Sequence, residues 1–185
     1  MTLDTLAPQK VESAPAHQVS SLRELAKTIR ASAIAKALSD RRSHASNEAL
    51  LELELDRPAV VEAIKDSIAQ EVARTLAAHD PQIQAIYSYD PSGNPDNETG
   101  EDRLPDVTIH LLALIAAPSA ALQSFILALD SALTESLKDL PSPIFQMRES
   151  VLDINLLTPK DVQQRTGYAG LLSSLFAPAV KLWER

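Results

Sequence analysis

The chain contains no cysteine, only four glycines and few aromatic residues, 4% of 185 positions. Without cysteine there is no disulfide, no thiolate metal site and no thiol nucleophile, a pattern compatible with a cytoplasmic protein. Four glycines leave little room for a phosphate-cradling loop, and neither a P-loop nor a dinucleotide fingerprint occurs. A Gly-x-Ser-x-Gly nucleophile elbow is also missing. Scarce aromatics require a core built from Leu, Ile, Val and Ala, within an apolar content of 45%. Positive charge is short as well: 17 Lys and Arg against 25 Asp and Glu give a net charge of −8. Proteins that neutralise many phosphates need a basic face, so nucleic acid is disfavoured as a partner.

Long hydrophobic runs are limited to one. Residues 111–129 carry no charge over 19 positions, close to the length of a spanning helix. Pro118-Ser119 interrupts the run, and Gln123 and Ser124 follow. A buried strand, a turn and an amphipathic helix account for it, and no transmembrane segment is expected. Residues 1–20 lack the basic and apolar regions of a secretory signal. Their Pro, Ser, Ala and Gln content reads as a disordered tail.

Beyond the tail, residues 21–56 read as a helical extension. Ser21 with Glu24 fits a capping box, and Leu22, Leu25, Ile29 and Ala33 share one helical face up to about Leu38, where Ser39-Asp40-Arg41-Arg42-Ser43 is expected to break the helix. Arg23, Lys27, Arg30 and Lys36 make this helix mildly basic. It either packs on its own domain or docks on a partner or a membrane. Residues 47–56 fit a helix and an alternating strand equally well.

Residues 57–185 form the expected main domain. Asp56-Arg57-Pro58 opens a helix with Val61, Ile64, Ile68, Val72 and Leu76 on one face, closed by Asp80-Pro81. Residues 83–89 read as a strand. Residues 90–105, with three Pro, two Gly and two Asn, read as a loop. Residues 106–116 form a second strand whose apolar end implies burial on both faces. Ser119 caps a further helix ended by Pro141. A strand follows, clearest over 151–157, and then Thr158 caps a short helix beginning at Pro159. Residues 168–183 show helical apolar spacing around Pro178, and Trp183 is expected to fold back onto the domain. The order predicts an α+β fold, a small mixed sheet flanked by helices.

Tyr87-Ser88-Tyr89-Asp90-Pro91-Ser92-Gly93, Pro105-Asp106-Val107-Thr108-Ile109-His110-Leu111-Leu112 and Leu152-Asp153-Ile154-Asn155-Leu156-Leu157 resemble three stretches of the minimal nucleotidyltransferase (DNA polymerase β-like) superfamily. In that family a strand ends in Gly-Ser, and the next carries two aspartates two positions apart, which strand alternation puts on one face. A third carboxylate sits on a later strand. Two divalent metals bridge these carboxylates and the triphosphate. The resemblance implies a nucleotidyltransferase-like fold over residues 57–185.

In the register that matches the flanking Leu-Leu, Thr108 and His110 take the paired aspartate positions, and Asp153 takes the third. Another register keeps Asp106 as one true ligand. Asp90-Pro91 replaces Gly-Ser, and Pro lacks an N–H to offer phosphate. Neutral His110 does not favour Mg²⁺, a hard cation that prefers oxygen. The resemblance therefore implies a catalytically inactive relative with no cofactor, acting as a binding or regulatory module on a protein partner. The alternative is an atypical Mg²⁺-dependent nucleotidyltransferase using Asp106 and Asp153.

Smaller signals are weighed beside this one. Asp90, Ser92, Asn94, Asp96, Glu98 and Glu101 have the spacing of a calcium loop, with Asp90, Asp96 and Glu101 as its weak metal candidates. Pro95 stands where that loop needs Gly, so a solvated acidic loop is the better reading. His110 suits zinc or proton transfer, yet no second histidine lies nearby in sequence, and a hydrogen-bonded structural role is commoner. Thr108, His110, Asp153 and Asn155 form the leading candidate pocket, with Asp106, His110 and Asp153 as its candidates for chemistry.

Overall fold

The computed structural model describes residues 16–42, 57–90, 107–139, 149–174 and 178–185. Among them the elements run α1 (Ala16–Arg42), α2 (Arg57–His79), β1 (Ile83–Ser88), β2 (Ile109–Ile115), α3 (Ala120–Lys138), β3 (Leu152–Leu157), α4 (Pro159–Gln164), a 3₁₀ segment (Gly167–Ser173) and β4 (Val180–Glu184). The fold is α+β, with a four-stranded mixed sheet in the order β3-β2-β1-β4. β1 is antiparallel to both β2 and β4, whereas β2 and β3 run parallel and are joined through α3.

The sequence explains the two faces of the sheet. Along β2, Ile109, Leu111, Ala113 and Ile115 enter a core shared with α1, α2 and α3. Leu112 and Leu114 point the other way, into a second cluster with Tyr89, Leu157, Ala169 and Leu171. Period-two alternation with apolar residues on both sides produces this doubly covered strand. The uncharged run at 111–129 is thus the end of β2, a turn and the first half of α3. Ser119 accepts a hydrogen bond from the Leu122 N–H at 3.1 Å and starts the helix. No helix among the described residues is long and apolar enough to cross a membrane.

A bulge in β1 controls which side chains reach the second face. Ile83 pairs with Ile115 and Ala85 with Leu114, so two steps on β1 oppose one on β2. The extra residue reverses the alternation, sending Ile83 and Ile86 to the helical side and Tyr87 and Tyr89 to the other.

The N-terminal and C-terminal parts differ from the expectations. α1 starts at Ala16, inside the stretch read as tail, so Ser21 lies within the helix rather than at its start. Glu24 instead meets Lys27 at 2.9 Å. The helix also passes through Ser39 and Asp40 to Arg42, because neither glycine nor proline interrupts it there. Its face of Ala26, Ile29, Ala33 and Ala37 is buried against α2 and α3. Among the described residues of 168–183 there is no α-helix: they form a 3₁₀ segment and β4, an edge strand too short to display a period of its own. Trp183 does fold back, opposite Ile86 and against the main core. Residues 1–15 and 47–56 lie outside the described residues.

Candidate functional site

The parallel register of β2 and β3 sets His110 directly beside Asp153 and Leu112 beside Asn155. Asp153 and Asn155 are two apart on β3, so both side chains project to the second face with His110. Just past the end of β1, the Tyr89 N–H donates to the His110 carbonyl at 3.2 Å, which fixes Tyr89 on the opposite flank of that histidine. Three neighbouring strands therefore bring Tyr89, His110, Asp153 and Asn155 into one row.

Their polar atoms form a connected network centred on a carboxylate. His110 Nδ1 lies 2.8 Å from Asp153 Oδ2 and donates to it when the carboxylate is ionised. The Tyr89 hydroxyl donates to the same oxygen at 3.4 Å. Asn155 Nδ2 donates to Asp153 Oδ1 at 3.3 Å and to the Tyr89 oxygen at 3.1 Å. Burial, and then the negative charge of Asp153, push the Tyr89 hydroxyl far above the ordinary tyrosine value, so it remains a donor. Rings flank the network: Tyr89 is tilted against His110 at 5.4 Å and against Tyr168 at 5.7 Å.

His110 is mostly enclosed, with 22% of its side chain exposed, whereas Asp153 is 45% exposed. The carboxylate is reachable from solvent although it already accepts three hydrogen bonds. Thr108 lies two positions before His110, half-buried at the entry to β2 and with bonding of its own. Asp90 ends the described part of the loop and is exposed. Asp106, Asp96 and Glu101 lie outside the described residues.

The donor set fits Mg²⁺ poorly. Asp153 is the one carboxylate in the row, and its neighbours are an imidazole, an amide and a phenol. A hard dication needs several oxygen ligands in octahedral array, and binding here would displace donors that already hydrogen-bond Asp153. Among the described residues no group of three His, Asp or Glu is placed to share a metal ion. The arrangement does suit a stable hydrogen-bonded cluster, or recognition of a donor group approaching Asp153.

Sequence reasoning identified His110, Asp153 and Asn155, and the structure brings these three together. It missed Tyr89 as a member of the network, because the β1 bulge that aims it has no clear sequence signal. Tyr168 falls in the stretch 168–183, which its sequence marks only by helical apolar spacing. No family model, curated protein or solved structure matches this chain.

Proposed function

We propose that this protein is a catalytically inactive, nucleotidyltransferase-like module that binds or regulates a protein partner. The observation that carries this reading is the state of Asp153. It stands where the resemblance puts the third metal-binding carboxylate, beside the residue that replaces a paired aspartate. There, among the described residues, it is hydrogen-bonded by His110, Tyr89 and Asn155. A lone carboxylate held in such a hydrogen-bonded network suits binding better than phosphoryl chemistry.

Calorimetric titration with ATP in the presence of Mg²⁺ or Mn²⁺ tests the reading. The expected result is no metal-dependent binding by the wild type. Saturable metal-dependent nucleotide binding that disappears in Asp153→Ala and Asp106→Ala would overturn it in favour of an atypical nucleotidyltransferase.

The basic helix is a weaker contact surface than its sequence implies. Arg23 meets Glu135 at 3.4 Å, Lys36 donates to Gln70 at 2.7 Å, and the Arg30 guanidinium donates to the Ser136 carbonyl. These three bases are already engaged with residues of α2 and α3. The sheet face carrying Tyr168 and Asp153 is therefore the better contact surface.

A further inference from the structure

We infer that the outer edge of β3 pairs antiparallel with the β3 of a second copy of this chain, around a two-fold axis through Asn155. This pairing is independent of what the Asp153 network binds.

In the parallel β2–β3 ladder the Ile109 N–H donates to the Val151 carbonyl at 2.8 Å. Backbone groups alternate in direction along a strand, so those of Val151, Asp153 and Asn155 face β2, and those of Leu152, Ile154 and Leu156 turn outward. β3 ends the sheet, with no further strand beside it among the described residues. Local hydrogen bonds cap this edge at both ends. Asp130 Oδ1 accepts the Leu152 N–H at 2.8 Å, and the Ser150 hydroxyl donates to the Leu152 carbonyl at 3.2 Å. At the far end the Thr158 N–H donates to Asp161 Oδ2, and the Thr158 carbonyl accepts the Val162 N–H. Between these caps, the outward N–H and C=O groups of Ile154 and Leu156 meet no partner among the described residues.

That window selects one register. An unpaired strand edge templates pairing with another chain, and an antiparallel ladder joins both groups of one residue to both groups of the residue opposite. Setting Ile154 against Leu156 of the copy, and Leu156 against its Ile154, satisfies every open group on both chains. Moving the axis to Ile154 or to Leu156 would press an open residue against the capped Leu152 or Thr158. A two-fold through Asn155 makes the same edge its own complement.

Charge and apolar surface suit the same axis. Glu149 precedes the strand, Lys160 follows it, and both are exposed. Antiparallel pairing brings the start of one β3 to the end of the other, so Glu149 approaches Lys160 of the copy at each end. Asp161, the acid beside Lys160, is already engaged by Thr158. From α3, Asp130 reaches the outward N–H of Leu152, so this flank of the helix borders the edge. Leu127 lies one turn earlier on that flank and is 70% exposed. A copy seated on β3 would cover it.

Sedimentation equilibrium of the full chain, with backbone amide exchange at low and high concentration, tests the pairing. The apparent mass should rise from 20.0 kDa toward twice that value. Exchange at Ile154 and Leu156 should slow by about tenfold or more as the dimer fills, while Asp153 and Asn155, already bonded to β2, should change little. Leu127→Glu should weaken the dimer by about tenfold or more, and Lys160→Glu by about two- to tenfold. Adding Glu149→Lys to Lys160→Glu should restore it, because the exchange of signs recreates the opposed pairs. All three positions are exposed, and a cooperative thermal transition confirms that each variant folds. A single-chain mass at every concentration, a dimer indifferent to these variants, or protection that appears on β4 instead of β3 would overturn the inference. None of these outcomes bears on the nucleotide titration, so the two proposals fail separately.

Discussion

Asp153 shows how much one side chain can organise when strand register surrounds it with donors. Replacing it with alanine leaves His110 Nδ1, the Tyr89 hydroxyl and Asn155 Nδ2 without their shared acceptor. Unmet donors of this kind cost about 1–3 kcal/mol. Because the carboxylate is nearly half exposed, water replaces part of the loss and the effect belongs at the lower end. Asp153→Ala should therefore lower the urea-derived stability by about 1 kcal/mol without changing the denaturant slope. Tyr89 adds a pH signature. Its folded-state pKa is raised, so its contribution is fully present below the ordinary tyrosine value of about 10 and is lost as pH rises toward the folded value. Urea midpoints measured from pH 8 to 11 should fall more steeply for the wild type than for Tyr89→Phe. Equal slopes would refute the burial and charge assigned to Tyr89. At this scale the pairing of His110 with Asp153 was legible, since His110 interrupts one apolar strand and Asp153 and Asn155 share a face of another. Tyr89 was hidden, because only the bulge at Gln84 and Ala85 decides which way it faces.

Elements joined by side chain to backbone contacts were less legible than those marked by local caps. Ser119 and Thr158 announce α3 and α4 within four residues of sequence, and Thr158 with Asp161 completes a reciprocal capping box. Hydrogen bonds from Thr158 hold the Asp161 carboxyl below the usual range. Asp130 gives no comparable signal, since a single acid on a helix ordinarily reads as solvated. In the fold its Oδ1 accepts the Val151 N–H at 2.9 Å and the Leu152 N–H at 2.8 Å, tying the middle of α3 to the start of β3. Both donors belong to buried residues, so Asp130→Ala strands two backbone groups that water cannot easily reach. The expected loss is about 2 kcal/mol, with faster hydrogen exchange at Val151 and Leu152 than elsewhere in the sheet. Asp130→Asn, which keeps one acceptor oxygen, should recover part of it. β4 escaped sequence reading for a related reason: its five residues gain their strand character from pairing with β1, a partner about a hundred positions earlier.

On the scale of the whole molecule, α1 determines whether the sheet's helical side is closed. α2 contacts the strands and α3 spans the β2–β3 crossover, and α1 lies along both helices. Its contribution comes mainly from small residues: Ala26, Ala33 and Ala37 permit close approach, and Ile29 fills the space between them at 3% exposure. The spacing of Leu22, Leu25, Ile29 and Ala33 made part of this face readable, but the sequence did not reveal what it would pack against. A basic amphipathic helix next to a Pro- and Ser-rich start looks equally like an appendage. The ion pair of Arg23 with Glu135 is exposed on both sides and adds little, so apolar burial must hold the helix in place. Ile29→Ala should then cost about 2–4 kcal/mol, whereas Arg23→Ala should stay within about 0.5 kcal/mol of wild type. Removing residues 1–42 exposes the apolar faces of α2 and α3 together. That truncated chain should lose its cooperative thermal transition and bind a hydrophobic dye. If it instead melted cooperatively near the wild-type midpoint, α1 would be a dispensable attachment, and the surface it covers would become available to a partner.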